Sequence, residues 1–191
     1  MNLTVVTSNR HKAAEVAAFF SGILNVDHVA LDCPEHRDDD VSRIAEGKAR
    51  FAYQQLGVPL IVDDTALSLP SLAGFPGPYA AYVQNTIGNA GILRLIDGVA
   101  DRSALFTTAI AFADSEGIRV FTGVLSGTIA PAPRGCNGFG YDPIFCLPDG
   151  KTLAELTLNE KSAISHRSRA LAAFRDWFVV RCRGSAGNTN G

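Results

Sequence analysis

Two β-rich runs in mid-chain, Ser103 to Ala113 and Ile118 to Ile129, are separated only by Asp114-Ser115-Glu116-Gly117. A polar link of that length between such runs predicts a β-hairpin. It commits the middle of the chain to an antiparallel pair that can form a second lobe. Ahead of it, apolar runs alternate with helical ones. Leu3 to Thr7 reads as a buried strand. Ser8 and Asn9 are good caps for a helix over Lys12 to Phe20, and Leu24 to Ala30 is a second strand. Asp38 to Asp40 cap and begin a helix through Leu56, with acids at its positive end. Leu60 to Val62 is a brief apolar strand that delivers Asp63 and Asp64 at its end.

Gly74-Phe75-Pro76-Gly77-Pro78 is turn chemistry, and Asn89 is placed to cap a short helix through Ile96. Pro131 to Pro143 is a Gly- and Pro-rich loop, too long for a simple connection. Thr152-Leu153-Ala154-Glu155 matches a capping box. Ser165 is placed to cap a last helix that shows Leu171, Phe174 and Phe178 on one face. Gly184 to Gly191 reads as a polar, disordered tail, which leaves residues 1–183 as one domain.

Composition narrows the partners. The 191 residues are 47% apolar and 19% charged, as in an ordinary globular domain. A net charge of -2 gives no overall attraction for nucleic acid or an anionic membrane. Phosphate binding must then come from local groups, which favours a small phosphorylated ligand. Cys33, Cys136, Cys146 and Cys182 form no Cys-x-x-Cys pair, so zinc and redox readings are weak. Free thiols in a reducing cytosol are expected. Neither a signal peptide nor a membrane span is expected, and the expected location is the cytoplasm.

Four segments carry candidate chemistry. Thr7-Ser8-Asn9-Arg10-His11-Lys12 lies between a strand and a helix. Such a turn offers free backbone N–H groups and a positive dipole end to an anion, and Lys12 adds a charge. The same residues also suit an ordinary capped helix. Asp63-Asp64-Thr65 follows an apolar strand, where α/β proteins bind ligands. Neighbouring side chains in extended backbone point to opposite sides, so the two acids are expected to do different jobs. Oxygen ligands of this kind suit magnesium, with Glu35 as a possible second carboxylate. Pro133 to Pro143 holds Phe139 and Tyr141 as flat faces for a base, Gly140 for close approach, and Asp142 as an acceptor for ring N–H groups. Finally, Lys161, His166 and Arg167 surround the start of the last helix, where cations oppose the helix dipole. That unfavourable placement hints at function.

Taken in order, these segments resemble one family, the inosine triphosphate pyrophosphatases, or non-standard purine NTP pyrophosphatases. The likeness runs from Leu3 to Phe178. It includes Gly74-Phe75-Pro76-Gly77-Pro78-Tyr79, Gly138-Phe139-Gly140-Tyr141-Asp142-Pro143 and Glu160-Lys161-Ser162-Ala163-Ile164-Ser165-His166-Arg167. The resemblance implies a two-lobed α/β fold around a long mixed β-sheet with flanking helices and a cleft between the lobes. It implies a homodimer that hydrolyses ITP, dITP and XTP to the monophosphate and pyrophosphate with Mg2+. By motif, Asp64 is the implied general base and magnesium ligand, Glu35 a further ligand, and Asp63 its acidic support. Thr7 to Lys12 is the implied phosphate cradle. Phe139 to Asp142, Lys161, His166 and Arg167 are the implied base pocket, and Thr65 is counted with the substrate contacts. The family usually has Gly where this chain has Ser8 and often where it has Ala66, and a Cβ there would limit positive φ.

The expected reaction is in-line attack by water on the α-phosphorus, with Asp64 activating the water and Lys12 stabilising the leaving group. Lys161 or Arg167, aimed at O6, would reward a keto purine over adenine. Alternatives are a pyrophosphatase for other modified nucleotides and a nucleotide-binding regulator without catalysis.

Overall fold

The computed structural model describes residues 2–34 and 37–186, without the side chains of 182–186. Glu35 and residues 187–191 of the expected tail lie outside the described residues.

The frame is a mixed seven-stranded sheet in the order β2-β1-β3-β5-β6-β7, where β7 is Phe145–Cys146, with β4 (Pro76–Gly77) beside β3. β1 (Asn2–Val6) pairs in parallel with β2 (Asn25–Val29) and β3 (Leu60–Ser68). β5 (Ser103–Asp114) and β6 (Gly117–Ile129) form the predicted hairpin, and β5 runs antiparallel to the whole of β3. The two parallel pairings require crossovers. These are α1 (Arg10–Phe19) and α2 (Val41–Leu56). Asn9 caps α1 by accepting from the N–H groups of His11 and Lys12. Asp40 caps α2, and Gly57 closes it at φ 64, where a Cβ would be strained.

Alternation along the strands sorts the core onto two faces. Leu3, Val5, Ile61, Ile110 and Phe112 pack with Val16 of α1, with Phe20 just after it, and with Leu171 and Phe174 of α6 (His166–Ala186), which follows the short α5 (Leu158–Ile164). Val6, Val62, Ala109 and Ala111 pack on the other face against Val41, Ala45, Ala49 and Ala52 of α2. A third cluster lies further along the long strands. It joins Leu67, Phe106 and Leu125 to Val83 of α3 (Ala80–Thr86), Ile92 of α4 (Gly88–Leu95), and Tyr141, Phe145 and Leu153.

Several local expectations need correction. β3 does not stop at Val62 but runs nine residues through Asp63, Asp64 and Thr65 to Ser68. Pairing with the full length of β5 carries the strand through the polar triplet. Asn89 is not a helix cap, because α4 begins at Gly88 and the Asn89 amide donates instead to the Gly140 carbonyl. α3 occupies a stretch with no helical reading from sequence. α6 continues to Ala186, so Gly184 to Ala186 are helical rather than tail. Ser8 and Ala66 raise no backbone conflict, since Ala73 is the one non-glycine with positive φ among the described residues. The capping box at Thr152 and the Ser165 cap both form.

Candidate active site

The site sits where β3 passes from the first two cores to the third. Odd positions of β3 face α1 and α6, and even positions face α2. Asp63 and Asp64 therefore look in opposite directions, as alternation requires.

On the α1/α6 face Asp63 is fully enclosed. Its carboxylate binds Lys12 Nζ at 2.9 Å and Arg167 Nε at 2.6 Å, and the Asp63 carbonyl accepts a second bond from Lys12. Burial alone would push this carboxyl up, but Arg167 and Lys12 together hold it well below the usual range. Arg167 also binds Glu15, a residue of α1 that sequence reasoning missed, and donates to Thr65. Glu15 in turn receives Lys161 Nζ at 2.7 Å, and Asp142 receives the same ammonium at 2.6 Å. Burial works against ionised Glu15, yet Arg167 and Lys161 keep its pKa below normal. For Asp142 burial wins over Lys161, and its pKa is raised.

This network changes the reading of the cations at the start of α6. Arg167 is neutralised by two carboxylates, so it does not stand as an unpaired charge against the helix dipole. His166 is enclosed, and desolvation assisted by Arg167 pushes its pKa well down, so it is neutral. The approach of α6 to β6 depends on Gly123. A Cβ there would lie 2.2 Å from the His166 carbonyl and 2.5 Å from Ala170 N.

On the α2 face Asp64 Oδ1 binds Lys48 Nζ at 2.8 Å. Its Oδ2 is buried without a hydrogen-bond partner among the described residues. Burial raises the Asp64 pKa despite the opposing pull of Lys12 and Lys48. Lys48 was not foreseen, although it carried a signal. It falls in the stripe Val41, Ile44, Ala45, Ala49, Ala52 that α2 buries.

Two cavities meet at this strand. One, of ≈ 250 Å³, is lined by Asn9, Lys12, Phe139, Asp142, Lys161 and His166, among others. It falls below the size usual for a whole drug-like ligand, so it suits one ring system. The other, of ≈ 360 Å³, is lined by Thr7, Ser8, Asn9, Lys12, Lys48 and Asp64, with Cys33 at its side. Both share Asn9, Lys12, Ala81 and Asn85, so they form one continuous cleft. Thr65, Gly140 and Arg167 line the first cavity, whereas Arg10 and His11 line neither. His11 instead stacks on Phe139 with ring centres 5.1 Å apart. Lys161 Nζ lies 4.8 Å from the Phe139 ring centre. Tyr141 departs from expectation. Its ring packs into the third core and its hydroxyl donates to Ala80 O, so it is a support rather than a free stacking face.

The loop that carries Phe139 is held tightly. Asp142 Oδ2 accepts from Phe139 N, and Gly138, at φ 72, leaves room for that carboxylate. A Cβ on Gly138 would lie 2.1 Å from Asp142 Oδ2. Gln84 and Asn89 both donate to the Gly140 carbonyl.

No three His, Cys, Asp or Glu side chains gather into a metal cage among the described residues. The unpartnered Oδ2 of Asp64 nevertheless fits a divalent cation. Magnesium takes one or two carboxylates and completes its shell with water and substrate phosphates.

The fold and cleft thus define an α/β protein built around a divided pocket, aromatic on one side and charged on the other. The chain belongs to the Ham1 family, whose model matches residues 3–177. It is 46% identical over 177 residues to the dITP/XTP pyrophosphatase of Methanopyrus kandleri, covering 91% of this chain and 93% of that protein. The dITP/XTP pyrophosphatase of Thermococcus kodakarensis is 43% identical over 180 residues, with coverage of 93% and 97%. Among solved structures, a HAM1 protein from Coxiella burnetii superposes with a TM-score of 0.82 at 31% identity, covering 94% and 98% of the two chains.

Proposed function

We propose that this protein hydrolyses deaminated purine nucleoside triphosphates, dITP, ITP and XTP, to the monophosphate and pyrophosphate. The observation that carries the reading is the divided cleft. A cavity walled by Phe139 opens into one walled by Thr7, Ser8, Asn9, Lys12 and Asp64. The base enters the first and the triphosphate lies along the second, where the N-terminus of α1 faces it. The names of the relatives agree with this substrate class.

Asp64 lines the phosphate cavity, and its Oδ2 has no hydrogen-bond partner among the described residues. It accepts the proton of a water that attacks the α-phosphorus. The new P–O bond forms as the bond to the bridging oxygen breaks, and pyrophosphate leaves. Lys12, shared by both cavities, faces the leaving group. Asp64 together with Glu35 would hold a divalent cation, Mg2+ in our reading, whose charge would offset that of the phosphate oxygens. The Glu35 assignment rests on the family resemblance alone. Asp63 serves as support, because Lys12 and Arg167 occupy it.

The base contacts are revised by the ion pairs. Lys161 and Arg167 are engaged by carboxylates and do not stand free to meet O6. Asp142 keeps Oδ1 without a protein partner among the described residues. It suits the N1–H of a keto purine. Exposed Phe75, Tyr79, Tyr82 and Ile87 lie within one short stretch and support a homodimer built on that face. No described helix is long and apolar enough to cross a membrane, and we place the protein in the cytoplasm.

The deciding experiment measures pyrophosphate release from dITP, XTP, ITP, GTP and ATP, with and without Mg2+. Release from the deaminated substrates that requires the cation is expected. Equal rates for ITP and ATP, or nucleotide binding without turnover, would reject the reading.

A further inference from the structure

We propose that Thr108 is a positioning residue that sets which ring nitrogen of His166 carries the proton, and that this tautomer selects a keto purine over an aminopurine. The proposal rests on the base-pocket reading above. Thr108 sits on β5 directly opposite Thr65 of β3, fully buried, and its hydroxyl lies between two partners. Thr65 Oγ1 is 2.8 Å away, and His166 Nδ1 is 2.6 Å away.

The direction of this chain is fixed from its charged end. Arg167 Nη2 can only donate, so Thr65 Oγ1 accepts from it at 3.1 Å. The Thr65 proton then has two possible acceptors. Asp63 Oδ1 is 3.4 Å away and already takes Lys12 and Arg167, whereas Thr108 Oγ1 is at 2.8 Å and short of donors. The shorter contact takes the proton. Thr108 must then donate onward, to His166 Nδ1. A neutral imidazole that accepts at Nδ1 carries its hydrogen on Nε2. Burial keeps the ring neutral, and stacking on Phe106 at 4.5 Å fixes its plane.

His166 lines the base cavity, and its Nε2 has no partner among the described residues. The chain Arg167, Thr65, Thr108, His166 therefore presents an N–H donor to the ligand. O6 of hypoxanthine or xanthine accepts such a bond, whereas the N6 amino group of adenine offers another donor. With the chain reversed, Nε2 would become an acceptor and the preference would invert. Asp142 Oδ1 in the same cavity is an acceptor suited to N1–H, so the two groups ask for the same lactam edge.

The test uses nitrogen-15 NMR of the nucleotide-free protein, with His166 assigned by comparison with His166→Gln. The expected spectrum has an unprotonated Nδ1 and a protonated Nε2. A protonated Nδ1 in the wild type overturns the proposal. Thr108→Val removes the hydroxyl at nearly constant shape. It is expected to lower the ITP-over-ATP ratio of kcat/KM by about ten-fold or more, and Thr108→Ser to restore it. An unchanged ratio in Thr108→Val, or no restoration by serine, overturns it. Should the valine variant not fold, the wild-type spectrum and the serine variant still decide. Wild-type protein with the expected tautomer but no hydrolysis of ITP would overturn the functional reading, while the tautomer assignment would stand.

Discussion

Asp63 and Asp64 are neighbours on one strand, yet they live in opposite electrostatic worlds. Asp63 has two cations on its carboxylate, and its pKa is depressed. Asp64 has Lys48 on one oxygen and no hydrogen-bond partner on the other among the described residues, and its pKa is raised. The first is satisfied and holds α1 and α6 to the sheet. The second is strained toward a proton or a cation. Strand alternation makes this division possible with no loop between the two groups. A satisfied charge stabilises, and a frustrated one is available for chemistry.

The largest effect that would break this comparison is on turnover. Asp64→Asn removes the base and is expected to lower kcat by about 10²–10⁴-fold. Stability is expected to be unchanged or improved, because an unsatisfied buried carboxylate is relieved. Steady-state kinetics with dITP, beside a urea melt of the same sample, gives both numbers. Near-normal turnover would remove Asp64 from the mechanism.

Next comes the opposite variant. Asp63→Asn leaves Arg167 and Lys12 short of a charge in the interior, at an expected cost of about 3–5 kcal/mol of folding stability. Urea unfolding measures it. A loss under 1 kcal/mol would mean that Glu15 alone suffices for Arg167, and the contrast between the two acids would shrink.

Acid titration sharpens the same contrast by sign. The folded pKa of Asp63 is depressed below its unfolded value, so its stabilisation is present above about pH 3.9 and is lost as pH falls toward the folded value. Glu15 behaves likewise. Asp64 and Asp142 have raised folded values, so their ionisation costs stability and protonation relieves that cost as pH falls. The metal-free wild type should lose stability below pH 4 with a slope approaching 1.4 kcal/mol per pH unit for each proton taken up. In Asp63→Asn that slope is expected to be shallower, whereas Asp64→Asn is expected to remove the stability gained as pH falls from the raised folded value to about 3.9. Parallel curves would count against the assignment.

How far the sequence reveals this arrangement depends on what each residue does to local pattern. The hairpin, the Asn9 and Asp40 caps and the Thr152 box were legible, because each is a short-range signal with its partner a few residues away. Alternation at Asp63-Asp64 predicted two separate roles. The length of β3 was not legible, since a polar triplet breaks an apolar run and only its pairing with β5 carries the strand through. Lys48 could be found as a charge within the buried stripe of α2. Glu15 offered no such sign, because its partners Lys161 and Arg167 are about 150 residues away. The same distant partners explain why the cations of α6 looked unfavourable in sequence and are paired in space.

The smallest effect separates cap from ligand contact at Asn9, which stands between the two regions and lines both cavities. Its Oδ1 accepts from His11 N and Lys12 N, and so fixes the turn of α1 that carries Lys12 toward Asp63. Asn9→Ala is expected to lose about 1 kcal/mol of stability. Asn9→Asp keeps a cap, and its charge suits the helix start, so stability should return. The same substitution replaces a side-chain N–H with an anion in the phosphate cavity. The KM for dITP should therefore rise by about ten-fold or more while stability is kept, since like charge there costs affinity. If Asn9→Asp restores stability and leaves KM unchanged, Asn9 serves the fold alone, and the phosphate cradle must be drawn from Thr7, Ser8 and Lys12.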